Sequence, residues 1–193
     1  MSDKKTISKE RFDKEAANYD QSARFELVRS RYRFVIEEIQ KHQFKTWLDV
    51  GCGTGALLSV IGEQRKDAQL FGVDLSEEMI KVATVKLGEK ANLKVSDSER
   101  LPFEDRKFDL ISCTFSFHHY PHPVEALIEM KRVLSQDGML VMADIVIVDG
   151  LRKWFDGRGP SADRRFRLRC GDKMRLGLAE AMTEQQSSLA IRA

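Results

Sequence analysis

The sequence predicts a doubly wound α/β fold, a mainly parallel Rossmann-like sheet with helices on both faces. Short apolar runs alternate along the chain with amphipathic helical segments. Apolar runs of this length are typical of parallel strands that are buried on both faces. The first run, residues 46–50, leads through a glycine-rich loop directly into a helical stretch. This alternation indicates βαβ units, whose crossover connections are right-handed in nearly all known cases.

The predicted elements follow in a regular order. An amphipathic helix over 25–41 comes first, because its apolar residues recur at helical spacing. A serine and two acidic residues at 76–78 are typical of a helix start, and Pro123 can open a later helix without losing a needed donor. The predicted strands cover 46–50, 69–73, 92–95, 108–115 and 139–148.

Three segments differ in character along the chain. Residues 1–22 form an N-terminal segment, 23–149 form the main domain, and 150–193 form an atypical Arg-rich tail with excess positive charge. The tail shows no alternating β-branched run, so we predict a truncated domain whose C-terminal strands are missing. The fifth strand would then be an exposed edge, and such an edge tends to recruit a second copy of the chain. We therefore expect self-association.

Composition limits the class of protein. The chain has 193 residues, of which 42% are hydrophobic and 32% charged, as expected of a soluble globular protein. No apolar run reaches the ~20 residues that span a bilayer, and the start lacks the apolar stretch of a signal peptide. Cys52, Cys113 and Cys170 are odd in number and widely spaced, unlike a disulfide framework. We expect a cytoplasmic protein.

The loop after the first strand is the first candidate site. It has the sequence DVGCGTG over residues 49–55. Glycines let the backbone turn tightly and approach a ligand, and the start of the next helix favours an anion. A tight turn without a ligand is the alternative, and this loop alone does not exclude it.

Carboxylates follow the next two strands. Asp74 comes some twenty residues after the loop, where a carboxylate can accept the hydroxyls of a ribose. Asp97 follows the third strand, where an acceptor could take a hydrogen from an adenine amine. A helix cap and a solvated loop residue are the respective alternatives. Because the carboxyl ends of parallel strands share one edge of the sheet, the combination indicates an adenosine with an anionic extension.

Four segments together resemble a known family. WLDVGCGTG (47–55), VDLSEEMI (73–80), SDSERLPFEDRKFDLI (96–111) and EMKRVLSQDGMLVM (129–142) resemble the ordered motifs of class I S-adenosylmethionine-dependent methyltransferases. The segment FDKEAANYD (12–20) resembles the small-molecule branch that includes enzymes of quinone biosynthesis. The resemblance covers roughly residues 8–148 and implies S-adenosylmethionine as the cofactor and a small-molecule methyl acceptor.

The resemblance also implies a set of cofactor-binding residues. Asp49 with the backbone of Gly51, Cys52 and Gly53 would hold the methionine portion. The remaining implied contacts are Asp74 at the ribose, Asp97 with Ser98 at the adenine, Thr114 at the methyl side, and Tyr19 closing over the cofactor. Leu75, next to Asp74, is also expected to bind the cofactor.

Catalytic residues are not assigned by the sequence. His118, His119 and His122 lie just past the fourth strand near Cys113, but their spacing matches no strong zinc pattern, so we expect no metal. His118 or His119 could act as a base if the acceptor must lose a proton.

Other functions stay open at this stage. A nicotinamide cofactor would also fit the strand-end pattern, since Gly51-x-Gly53-x-x-Ala56 matches the relaxed dinucleotide fingerprint. An NAD-dependent oxidoreductase, however, gives no reason for the SDSERLPF segment. A vestigial cofactor-binding module is the third candidate, because of the missing strands. The arginine-rich stretch 164–169 could contact nucleic acid, but a solvated tail is the favoured interpretation.

Overall fold

The computed structural model describes residues 3–144 and 187–192. Its centre is a six-stranded sheet in the order β3-β2-β1-β4-β5-β6. All neighbouring strands run parallel except β6, which is antiparallel to β5. The strands are β1 (Thr46–Val50), β2 (Gln69–Asp74), β3 (Ala91–Val95), β4 (Phe108–Thr114), β5 (Leu134–Asp144) and β6 (Ser187–Arg192). The order reverses beside β1, where open α/β sheets place their ligands.

Helices connect and precede the strands. They are α1 (Asp3–Glu15), α2 (Ala23–Arg29), α3 (Tyr32–Gln40), α4 (Ala56–Gln64), α5 (Glu77–Leu87) and α6 (Pro123–Val133). Ser76 is the N-cap of α5 and accepts a hydrogen bond from the Met79 backbone, as its position before two acidic residues predicts. Pro123 stands in the first turn of α6.

The core has two layers, one on each face of the sheet. Neighbouring residues of a strand point to opposite faces, so Trp47 belongs to one layer and Leu48 to the other. The Trp47 layer includes apolar side chains of α3, α4 and α5, and the Leu48 layer includes those of α6. Both residues are fully buried. The predicted doubly wound α/β class is confirmed.

Three local predictions need correction. The expected helix over 25–41 is two helices, α2 and α3, with a break at Ser30 and Arg31. Residues 3–15 form α1, which the polar start of the chain did not predict. β5 begins at Leu134 rather than 139, directly after α6, with an irregular register against β4 before Met139. Residues 145–148 of the predicted strand lie outside the described residues.

The expectation that the tail forms no strand is wrong. β6 pairs with β5 along Met139 to Asp144, so this stretch of β5 is not an open edge. The self-association expected from that edge therefore loses its structural reason. Within the described part of the chain, no helix has both the length and the apolar character needed to cross a membrane.

Candidate functional site

The glycine loop joins β1 to α4 through three residues with positive φ. The φ angles of Gly51, Gly53 and Gly55 are 75°, 51° and 71°. The Gly51 and Cys52 N–H groups donate to the Val73 carbonyl at 2.8 and 3.0 Å. A Cβ on Gly51 would overlap Ser116 and the Tyr120 hydroxyl, so close packing as well as backbone conformation requires glycine there.

Asp74 ties this loop to the start of α5. Its Oδ2 accepts the Gly53 N–H at 2.8 Å and its Oδ1 accepts the Ser76 N–H at 2.9 Å. Burial raises the pKa of this carboxyl, whereas these backbone donors lower it. Each carboxylate oxygen has two lone pairs, so both can still accept a ligand hydroxyl. Asp74 is therefore held in one orientation at the end of β2.

Asp97 follows β3 and contacts the N-terminal helix. Its Oδ1 accepts a hydrogen bond of 3.0 Å from the Glu99 N–H, and its Oδ2 accepts one of 2.5 Å from Lys5 Nζ. Lys5 also lies 2.7 Å from a Glu99 carboxylate oxygen. Burial is the largest single effect on the pKa of Lys5 and lowers it. The hydrogen bonds and charges of Asp97 and Glu99 together outweigh burial, so the pKa is raised.

One cavity brings these strand ends together. It encloses about 940 Å³, its open mouth included, and lies between the sheet edge and the N-terminal helices. Nine of the ten residues predicted to contact the cofactor line it: Tyr19, Gly51, Cys52, Gly53, Asp74, Leu75, Asp97, Ser98 and Thr114.

Asp49, the tenth predicted residue, does not line the cavity. It is 2% exposed, and its Oδ1 accepts a hydrogen bond of 2.6 Å from Ser112 Oγ. Burial raises the pKa of Asp49 to about 7, with a further contribution from the charge of Asp74, whereas the Ser112 bond lowers it. Asp49 thus lies beneath the glycine loop, two residues before Gly51.

The N-terminal segment forms a wall of the cavity, of which the sequence analysis predicted only Tyr19. Lys5, Ser8 and Phe12 of α1 line the cavity together with Tyr19. The rings of Phe12 and Tyr19 meet edge to face at 6.2 Å. Burial raises the pKa of Tyr19, so its hydroxyl is neutral near pH 7. Only the aromatic residues within FDKEAANYD could have indicated this wall, because most other residues of α1 are polar.

Hydrogen bonds attach this wall to the rest of the site. Ser76 Oγ donates to Asp13 Oδ1 at 2.6 Å. Thr54 Oγ1, at the end of the glycine loop, donates to Asp20 Oδ1 at the same distance. Lys5 reaches Asp97, as described above. The N-terminal segment therefore contacts the loops that follow β1, β2 and β3.

Two histidines stand at the end of β4. His119 lines the cavity and packs edge to face on Phe12. Burial, helped by neighbouring His118, lowers the pKa of His119 to about 4, so this ring is neutral near pH 7. The His118 ring is paired through Nδ1 with Asp144 Oδ1 at 2.6 Å, and its backbone N–H donates to Asp144 Oδ2 at 3.0 Å.

In the described part of the chain, these histidines do not form part of a candidate metal site. Among residues 3–144 and 187–192, no three His, Cys, Asp or Glu side chains are grouped as a metal site would need. His122 lies apart and pairs with Glu99 at 3.1 Å. The two cysteines described, Cys52 and Cys113, are buried free thiols.

Comparisons with known proteins bear on this geometry. Residues 48–142 match the family described as a methyltransferase domain. Over this segment, just under half of the chain, the sequence is similar to a methyltransferase domain. Its sequence is 33% identical over 148 residues to a demethylmenaquinone methyltransferase of Staphylococcus aureus, covering 65% of this chain and 60% of that protein. The chain thus spans about three fifths of the length of this relative.

Solved structures share the fold of the domain. A SAM-dependent methyltransferase from Aquifex aeolicus matches 69% of this chain and 73% of its own length, with a TM-score of 0.60 and 26% identity. The [4+2]-cyclase SpnF also matches, over 60% of this chain and 44% of its own length, with a TM-score of 0.55 and 26% identity. The family matches indicate S-adenosylmethionine as the cofactor. The cyclase shows that the fold alone does not determine the reaction.

Proposed function

We propose that this protein transfers the methyl group of S-adenosylmethionine to a small-molecule acceptor. The observation that carries the proposal is the single cavity bounded by the loops after β1, β2 and β3, with a glycine loop, Asp74 and Asp97 at its edges. When bound, the cofactor supplies an activated methyl group, so the protein mainly needs to bind and orient the two reactants.

The cavity offers a complementary group for each part of the cofactor. Asp74 would accept the ribose hydroxyls, and Asp97 with Ser98 would face the adenine. The glycine loop would hold the methionine portion, with Asp49 beneath it as the negative charge opposite the ammonium. Tyr19 and Thr114 line the same space. The fit is supported by Gly53, which lines the cavity and where an added Cβ would meet no protein atom within 4 Å, so the loop backbone is open to a ligand.

An aromatic, largely apolar acceptor suits the remaining wall. Phe12, Phe25, Tyr32 and Phe115 all line the cavity. The Staphylococcus aureus relative is named for a quinone, demethylmenaquinone. A flat ring compound carrying a hydroxyl is therefore the acceptor class that we infer. Neither a nucleic-acid partner nor a resident metal is part of this proposal, and the cytoplasm is its compartment.

Of the two histidines past β4, His119 lines the cavity and His118 is its neighbour in sequence. The Nδ1 of His118 is paired with Asp144, so with the proton on Nδ1 its Nε2 is left free to accept one. His119 lines the cavity itself and is neutral. The lowered pKa of His119 makes this ring a weak proton acceptor, so turnover should be measured in both His118→Ala and His119→Ala.

The proposal is tested by supplying methyl-labelled S-adenosylmethionine with a panel of hydroxylated aromatic compounds, including reduced demethylmenaquinone. We expect acceptor-dependent formation of S-adenosylhomocysteine and a labelled product. Asp74→Ala should lower turnover at low cofactor concentration, because it weakens cofactor binding. Cofactor binding without transfer to any acceptor would instead favour a binding module, and hydride transfer with NAD would favour an oxidoreductase.

A further inference from the structure

Three buried polar side chains form a hydrogen-bonded chain between β1 and β4. Trp47 Nε1 donates to Ser112 Oγ at 2.8 Å, and Ser112 Oγ donates to Asp49 Oδ1 at 2.6 Å. Asp49 and Ser112 are register partners in the sheet. The exposed fractions are 0% for Trp47 and Ser112 and 2% for Asp49. Buried polar groups in an apolar sheet are costly unless they are paired, and all three are paired here.

The direction of this chain follows from the chemistry of its members. An indole N–H can only donate, so the Ser112 oxygen must accept from Trp47. A hydroxyl has one hydrogen, and the remaining partner of Ser112 is the Asp49 carboxyl. The Ser112 proton is therefore committed to Asp49. Such a fixed donor favours the ionised form of the carboxyl over the protonated form.

The surroundings of Asp49 otherwise disfavour its charge. The groups that interact with it electrostatically are Tyr32 of α3, Cys52 of the glycine loop, Asp74 at the end of β2 and Cys113 of β4. None of the four carries a positive charge at neutral pH. The Ser112 hydroxyl is the hydrogen-bond donor that opposes burial and the charge of Asp74.

We propose that Ser112, oriented by Trp47, is a positioning residue that favours the ionised form of Asp49, the form that would attract the cofactor's ammonium group. The inference rests on the proposed function, because it assumes that the glycine loop holds the methionine portion. Asp49 does not line the cavity, so it would act from beneath the loop as a charge in a low-dielectric interior, where attraction is stronger than in water.

The proposal predicts a particular pH dependence of binding. A bound ammonium stabilises the Asp49 anion, so affinity should rise with pH until Asp49 is ionised in the free protein, near pH 7. Without the Ser112 hydroxyl, the carboxyl should ionise at a pH higher by about one unit. Affinity would then be about tenfold lower near pH 6.5, and the loss should almost vanish by pH 8.5.

The test is calorimetric titration of S-adenosylhomocysteine from pH 5.5 to 8.5 into the wild type, Ser112→Ala and Ser112→Thr. Threonine keeps the hydroxyl and should restore the wild-type profile. Carbon-13 NMR of the Asp49 carboxyl follows its ionisation in the same three proteins without ligand. We expect the NMR midpoint of Ser112→Ala to move upward and that of Ser112→Thr to stay near the wild type.

The outcomes distinguish a failure of the Ser112 role from a failure of the proposed function. A Ser112→Ala protein whose affinity is unchanged, or falls equally at every pH, would overturn the positioning role. An unmoved NMR midpoint would overturn it as well. A wild type that does not bind S-adenosylhomocysteine at any pH would refute the proposed function, and with it the role of Asp49 toward the ammonium, whatever the NMR midpoints show.

Discussion

Replacing Asp49 with asparagine should make the protein more stable above pH 7 and a weaker binder of its cofactor. The carboxyl is buried, and its pKa lies at about 7 compared with an ordinary value of 3.8. Asparagine has nearly the same shape and keeps an oxygen that can accept the Ser112 hydrogen bond. The substitution therefore removes a buried charge and leaves the packing almost intact.

The size of the effect follows from proton linkage. The folded protein holds the Asp49 proton to a higher pH than the unfolded chain does, so ionisation destabilises the fold as pH rises from about 4 to 7. A rise of about three pH units at 1.36 kcal/mol per unit gives an upper limit of about 4 kcal/mol. The stability difference between Asp49→Asn and the wild type should thus grow with pH and level off above pH 7.

Urea unfolding at pH 5 and pH 8 measures this difference, and calorimetry with S-adenosylhomocysteine at pH 8 measures binding. Glu104→Gln is the matched control, because Glu104 is exposed and does not line the cavity. We expect a larger gain at pH 8 than at pH 5, together with at least tenfold weaker binding, which is about 1.4 kcal/mol. An equal effect at both pH values would refute the reasoning about buried charge.

Two further predictions concern the loop and the N-terminal helix. Gly51→Ala should lower the free energy of unfolding by about 1 to 3 kcal/mol more than Gly53→Ala does. An added Cβ overlaps Ser116 at residue 51, whereas at residue 53 it meets nothing within 4 Å. Similar urea midpoints for the two variants would contradict this prediction. Asp13→Ala should cost about 1 kcal/mol near pH 7 by removing the acceptor of Ser76. The lowered pKa of Asp13 places this contribution above about pH 4, so thermal unfolding at pH 3 should show a smaller difference.

The sequence predicted the parts of the site that follow from strand order. Gly51, Asp74 and Asp97 each come just after a predicted strand, and parallel pairing brings those strand ends to one edge of the sheet. The position of Asp49 could not be read in the same way. The family resemblance implied a ligand contact for it, whereas its place inside β1 buries it against Ser112 of the neighbouring strand.

Contacts between distant segments account for what the sequence did not show. α1 is mostly polar, and its position depends on single hydrogen bonds such as the one that Asp13 accepts from Ser76. β6 was missed because residues 187–192 contain no alternating β-branched run and pair with β5 across more than forty residues. Such pairing is set by the partner strand rather than by local propensity.

The most direct test of the central claim is calorimetric titration of the purified protein at pH 8 with S-adenosylhomocysteine and, separately, with NAD. We predict micromolar-range binding of S-adenosylhomocysteine, weakened by about 1 to 3 kcal/mol in Asp74→Ala because the ribose hydroxyls lose their acceptor. NAD should bind far more weakly. Tighter binding of NAD, or an unchanged affinity for S-adenosylhomocysteine in Asp74→Ala, would contradict the assignment of this cavity to S-adenosylmethionine.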